Sequence, residues 1–371
     1  MAISLHTKLC DMIGVEYPVM AFNHCRDVVA AVSNAGGCGV LGAIALTPKA
    51  IHAETAWLRD HTDKPFGIDL VFPPASPETA TKEQLLSYVP QDYRDFVDGL
   101  KQRLGLPNEI PGALGDMELG IGGTHEWERQ QLEAVLDVKP PIMAAGLGIT
   151  PEAVKKCQAA GIKVFTLVGN VKNARRAAAL GVDCIVAQGT EAGGHTGRIG
   201  TLALVPQVVD GVAPIPVLAA GGIGDGRGLV AALALGAIGV WTGTIWLTSH
   251  EDPMCDWIKD SFLAATDEDA VITKAYTGKT CRMLNNEYVR IWNQPDAPKT
   301  LPMPLQNFYS PMPLVVSSES PETVNMFDKD GVREWVSAPA GNVVGLIKKR
   351  RPARQIIYDM ISEAVEILGS E

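Results

Sequence analysis

The feature that most constrains this chain is a rhythm. Short apolar runs at 18–22, 39–43, 66–71, 141–146, 163–168, 184–188, 216–221 and 239–243 alternate with amphipathic stretches at 27–35, 48–59, 151–160, 171–180, 202–209 and 226–235. Buried strands alternating with helices that have one apolar face are βα units, and repeated βα units build a parallel sheet. The punctuation agrees. Thr47-Pro48 and Thr150-Pro151 read as an N-cap followed by proline in the first helical position, and Gly161, Gly181 and Gly236 read as left-handed stops. Eight such strands are the count for an α/β fold of the closed (β/α)8 TIM-barrel type. An open, doubly wound sheet is the competing topology, but it would gather its distinctive residues at one switch point. Here they fall at the C-terminal ends of several strands, where barrel sites are built, so the barrel is expected.

Two segments break the rhythm. The insertion at about 72–139, after the third strand, is proline-punctuated and acidic. It is expected to carry helices at 82–88, 92–104 and 126–136 and to act as a lid or flank over the barrel mouth. Residues 1–250 are therefore read as the barrel. Residues 251–371 form a C-terminal extension with a helix at 254–264, proline-rich coil at 294–321 and a last helix at 353–368, expected to pack beside the barrel as a small helical subdomain.

Composition excludes several classes of function. A formal charge of −10 argues against a nucleic-acid partner, and the basic cluster at 348–351 reads as a solvated turn. No apolar stretch is long enough for a membrane span, and the N-terminus lacks the apolar region of an export signal. Seven scattered cysteines without CxxC spacing suit a reducing cytoplasm. With no HxH or HxxxH pair among seven histidines, no metal centre is expected.

The chemistry gathers in loops. Glu191-Ala192-Gly193-Gly194-His195-Thr196-Gly197 sets one histidine in a glycine-rich loop directly after a buried strand, where its imidazole can project into a cavity as an acid–base group. Glu191 could orient that histidine or cap the loop. Further on, Gly221-Gly222-Ile223-Gly224 and Gly243-Thr244 end the last two strands, the usual phosphate position of such barrels, and the helix near Gly226 is expected to aim its positive end there. Neither turn has Walker or GxGxxG spacing. The expectation is a phosphorylated cofactor below a single acid–base side chain, with His24 and Arg198 as candidate substrate contacts.

In these stretches the chain resembles the nitronate monooxygenase family of FMN-dependent TIM barrels. The resemblance runs from about Leu5 to Phe262, without the insertion. It is carried by Tyr17-Pro18-Val19, by 32–39, by 65–70, by the Glu-Ala-Gly-Gly-His-Thr-Gly loop, by 220–228 and by 239–244. It implies FMN with its phosphate on Gly221, Gly222, Gly243 and Thr244. Flavin contacts would come from Ala21, Phe22 and Asn23, from Asp69, and from Gln188 and Gly194. His195 is implied as the catalytic base or substrate-orienting residue in the oxidation of alkyl nitronates by dioxygen. The same motifs occur in NAD(P)H-dependent flavin reductases acting on enoyl thioesters or quinones, and a flavin-binding protein without turnover is the non-enzymatic alternative. Relatives commonly read Gln-Ala-Pro-Met where this chain has Met20-Ala21-Phe22-Asn23, and they often have Asn at the position of Asp69. A small-molecule substrate, dioxygen or NAD(P)H as co-substrate, and a homodimer complete the expectations.

Overall fold

In a computed structural model, residues 3–72, 82–103, 125–303, 305–310, 333 and 336–369 are described. Eight parallel strands close into a barrel. They are β1 (Val19–Asn23), β2 (Cys38–Gly42), β3 (Phe66–Val71), β4 (Ile142–Gly146), β5 (Lys163–Val168), β6 (Cys184–Gln188), β8 (Val217–Ala220) and β9 (Val240–Thr242). Between β6 and β8 lies a two-residue strand, β7 (Gly194–His195), which stands outside the barrel. Closure comes from β9 pairing with β1, Met20 opposite Trp241. The expected open-sheet competitor is thereby excluded.

Side-chain alternation sorts the strands into two layers of core. Met20, Val40, Ala144, Phe165, Val186 and Leu218 fill the barrel interior, while Val19, Ile68, Met143, Val164, Ile185 and Ala219 face the helices. Interior filling of this kind makes a TIM barrel a packed plug, so a ligand has only the mouth to enter. Gly39 shows how tightly the layers meet: a Cβ there would lie 2.3 Å from the carbonyl oxygen of Val29 in the preceding helix.

The insertion divides into two parts with different roles. Helix His125–Val138 is the outer helix that follows β3, docked on Pro48–His61. Trp127 Nε1 donates to Ile44 O (3.1 Å) and Gln131 Nε2 to Ala43 O (2.6 Å), fastening the helix to the loop after β2. Helix Gln91–Arg103 instead buries Tyr93, Val97 and Leu100 against Tyr276, Met283, Tyr288 and Trp292 of the C-terminal extension, making a second small core. The remainder of the expected lid (73–81 and 104–124) and part of the proline-rich coil (311–321) lie outside the described residues.

The extension is less purely helical than its composition suggests. After a short 3-10 turn at Thr244–Trp246 and helix Asp256–Ala264, strands β10 (Ala270–Thr273) and β11 (Cys281–Leu284) form an antiparallel pair. Strand β11 then pairs with β7, setting Cys281 opposite His195. The final helix, Ala353–Gly369, packs between helix Gly226–Ala234 and helix Arg26–Asn34, burying Ile356, Ile357, Met360 and Ala364 in the layer shared with the barrel strands. It occupies the place of the eighth outer helix. No described helix is long and apolar enough to cross a membrane.

Candidate active site

A cavity of about 830 Å³ opens at the C-terminal mouth of the barrel. Its floor begins at the end of β1. Phe22 stacks on Trp241 with ring centroids 6.3 Å apart and meets the edge of His24 at 5.1 Å. His24 donates through Nδ1 to Gly42 O (2.9 Å), and burial lowers its pKa. Ala21, with the opposite strand parity, points into the helix layer and does not line the cavity. Asn23 is engaged at both ends of its amide: Oδ1 accepts from Cys25 N (2.7 Å) and Nδ2 donates to Asp252 Oδ2 (3.0 Å). Buried Lys259 donates to the carbonyl oxygens of Ser249 (2.8 Å) and Asp252 (2.5 Å), so the loop that carries Asp252 is held in place from behind. Cys25 borders the cavity with its thiol pushed up to about 12 by burial, whereas Cys38 is sealed inside the barrel.

Asp69, on β3, is 8% exposed and lines the floor. Its Oδ1 is buried without a hydrogen-bond partner among the described residues, and burial raises the carboxyl to about 7. An orphaned acid of this kind is costly in a closed protein, and at neutral pH it presents a mixture of donor and acceptor to whatever fills the cavity.

The opposite wall is backbone. Gly221 (φ +92°) and Gly222 (φ +74°) follow β8 in the left-handed region that side chains resist, and Gly243 and Thr244 follow β9. Among the described residues, the backbone N–H groups of Gly221, Gly222, Gly243 and Thr244 donate to no protein acceptor. Two neighbouring turns with free N–H groups suit an anionic group such as phosphate. The helix at Gly226 does not add its positive end, contrary to the expectation. Asp225 Oδ1 accepts from Gly228 N (3.2 Å) and Glu363 Oε2 from Gly226 N (2.7 Å), so two carboxylates already occupy that terminus and turn it to the outer surface.

Above the floor stands His195, half-buried, with Gln188 and Gly194 on the same wall. Its Nε2 lies 2.9 Å from Thr277 Oγ1, and its Nδ1 has no partner among the described residues. Burial, reinforced by the positive charge of Lys279, pulls its pKa down to about 4, so the ring is uncharged at neutral pH. Glu191 does not orient it. Its carboxylate accepts from Thr201 N (2.9 Å) and Thr201 Oγ1 (3.0 Å), closing the loop onto the next helix. Arg198 is exposed and away from the cavity.

Sequence reasoning missed the third wall, which comes from the extension. Thr277 and Lys279 lie on the turn between β10 and β11, and Ala338, Pro339, Gly341 and Val343 reach the cavity from a later segment. Gly341 N donates to Thr244 Oγ1 (2.9 Å), which ties that segment to the end of β9. The hint in the sequence is Thr277-Gly278-Lys279-Thr280 between two short apolar stretches, a hairpin pattern with Gly278 at φ +73°.

A family model described as nitronate monooxygenase matches residues 6–363. Over 98% of both chains, the sequence is 41% identical to a provisionally named monooxygenase of Mycobacterium tuberculosis. A probable nitronate monooxygenase of Staphylococcus aureus is 29% identical over 97% of this chain and 98% of its own. Among solved structures, a nitroalkane oxidase of Streptomyces ansochromogenes superposes with a TM-score of 0.79 at 25% identity, covering 98% of this chain and 99% of the other. FabK of Thermotoga maritima does so with a TM-score of 0.73 at 27% identity, covering 99% and 98%.

Proposed function

We propose, from the premise that this chain belongs to the nitronate monooxygenase family, that it is an FMN-dependent oxidoreductase that oxidises alkyl nitronates with dioxygen. The observation that carries the reading is the pairing of two walls of one cavity. Free backbone N–H groups after β8 and β9 face an uncharged imidazole across a floor with an unpartnered carboxyl. The residues fit FMN: Gly221, Gly222, Gly243 and Thr244 would take its phosphate, and Asp69, Phe22 and Gln188 would border its ring. When bound, FMN supplies the exchange of single electrons between nitronate and dioxygen.

The chain's own part is binding and proton handling. For a neutral nitroalkane, the free Nδ1 of His195 takes the α-proton: the C–H bond breaks, an N–H bond forms, and the electron pair becomes the C=N bond of the nitronate. An imidazole held at about 4 is a weak base at neutral pH. Preformed nitronates are therefore the better substrates, and neutral nitroalkanes turn over more slowly.

A second reading is an NAD(P)H-dependent flavin reductase acting on an enoyl thioester or quinone. The size of the cavity favours it, since about 830 Å³ is near the upper end of ligand pockets and has room for an extended second reactant. Anaerobic mixing separates the two. Flavin bleached by an alkyl nitronate and not by NAD(P)H supports the monooxygenase, whereas bleaching by NAD(P)H alone overturns it. Protein that is colourless and takes up no added FMN would overturn both.

A further inference from the structure

One ionisable group on the cavity wall has no role in the chemistry above. Lys279 lines the cavity on the turn between β10 and β11, and its backbone is pinned. Its N–H donates to Thr277 Oγ1 (3.3 Å), and its carbonyl oxygen accepts from that hydroxyl (3.1 Å), the same hydroxyl that meets His195 Nε2. The side chain is half-buried and makes no ion pair among the described residues. Its positive charge adds to burial in disfavouring protonation of the imidazole. Of the carboxylates that line the cavity, Glu191 is engaged with Thr201 and Asp252 with Asn23 and Met254 N, and Asp69 on the floor makes no ion pair with Lys279 among the described residues.

A desolvated cation without a counter-ion is unfavourable until an anion meets it. We propose that the Lys279 ammonium seats the negatively charged end of a substrate that enters the cavity already ionised, a nitronate or a carboxylate, beside an uncharged His195. The inference rests on the active-site reading above and narrows it to anionic substrates. An ammonium is a point charge with three rotatable donors, so it does not demand a planar, bidentate partner. Both oxygen pairs fit it, that of a nitronate and that of a carboxylate.

The test uses the purified holoenzyme and two readouts. In steady-state turnover, Lys279→Met is expected to raise KM for an alkyl nitronate about 30-fold, the size of one charged hydrogen bond, with kcat changed far less. Lys279→Arg should restore KM to within about threefold. Arg198→Met, which removes an exposed cation that lies outside the cavity, should leave KM as it was. In wild-type protein, nitrate should compete with the nitronate, and calorimetric titration with nitrate should show binding that Lys279→Met weakens at least tenfold. Unchanged KM in Lys279→Met, nitrate binding that survives it, or no nitrate binding to the wild type would each overturn the proposal. Were the wild type to turn over no nitronate, the functional reading would fail, and the nitrate titration would still decide whether Lys279 seats an anion.

Discussion

The cavity has two kinds of wall, and they are built differently. One is the ring of strand ends, where Asp69, Gln188, Gly222 and Gly243 each stand at or near the C-terminal end of a barrel strand. Each position there is set by its own strand and the next helix, so the wall is rigid and made of local structure. The other is the extension, where Thr277, Lys279 and Gly341 are held by pairings across long stretches of chain: Cys281 with His195, Gly341 with Thr244. The contrast assigns the roles. On the function proposed above, the wall of strand ends would hold the cofactor's phosphate, and the wall from the extension would select the second molecule.

His195 joins the two walls, rooted in the loop after β6 and paired to β11, so removing it should give the largest effect. His195→Ala is expected to keep bound FMN while turnover of neutral nitroalkanes falls about 1000-fold, as loss of a positioned base does. Preformed nitronates should lose far less, and equal losses on both would rule out proton abstraction. The next effect tests the strand-end wall alone. Gly222→Asp forces a side chain into a left-handed position (φ +74°) and places a second carboxylate close to Glu191, whose Cβ would lie 3.4 Å from the new Cβ. Strain of about 1–2 kcal/mol and repulsion of phosphate should together lower FMN affinity about 100-fold by fluorescence titration. Unchanged retention would place the phosphate elsewhere.

A smaller effect probes the extension. Arg282, 9% exposed, donates through Nε to Thr190 O (3.0 Å) and through Nη1 to Ala270 O (2.5 Å), bolting β11 to the histidine loop. Arg282→Leu leaves both carbonyls without that donor and should cost about 2 kcal/mol in urea unfolding. FMN affinity should be unchanged, and equal loss of FMN would erase the distinction between the walls. The smallest effect is one of pH. Because the folded state holds Asp69 at about 7, above its ordinary 3.8, its contribution to stability is present at low pH and is lost as pH rises through 7. Between pH 6 and 8 this group should take away about 1.4 kcal/mol. Asp69→Asn should flatten that slope in chemical unfolding, and an unaltered slope would show that Asp69 ionises freely.

The strand-end wall was legible because its causes are local. Short apolar runs, five of them ended by glycine, gave all eight barrel strands to within a residue or two, and Thr47 and Thr150 do cap their helices, each accepting a backbone N–H at 3.1 Å. The wall from the extension was not legible. Strand β7 is two residues long and shows no alternation, and its partner lies beyond residue 280, so no window of sequence contains the pairing. Arg198 drew attention by its closeness in sequence to His195, yet the chain turns it outward. The free end of the Gly226 helix seemed available because Glu363, which closes it, sits on the final helix.

That final helix carries a consequence for how the molecule is made. Residues 353–369 complete the ring of outer helices by fitting between the first and seventh of them, so a chain still emerging from the ribosome carries every barrel strand but lacks one stave. Until residues 353–369 have been made, the apolar flank later covered by Ile356, Ile357 and Met360 stays open to water and to chaperones. The turns at 221–222 and 243–244 are synthesised well before that helix, so they are made while the flank is still uncovered.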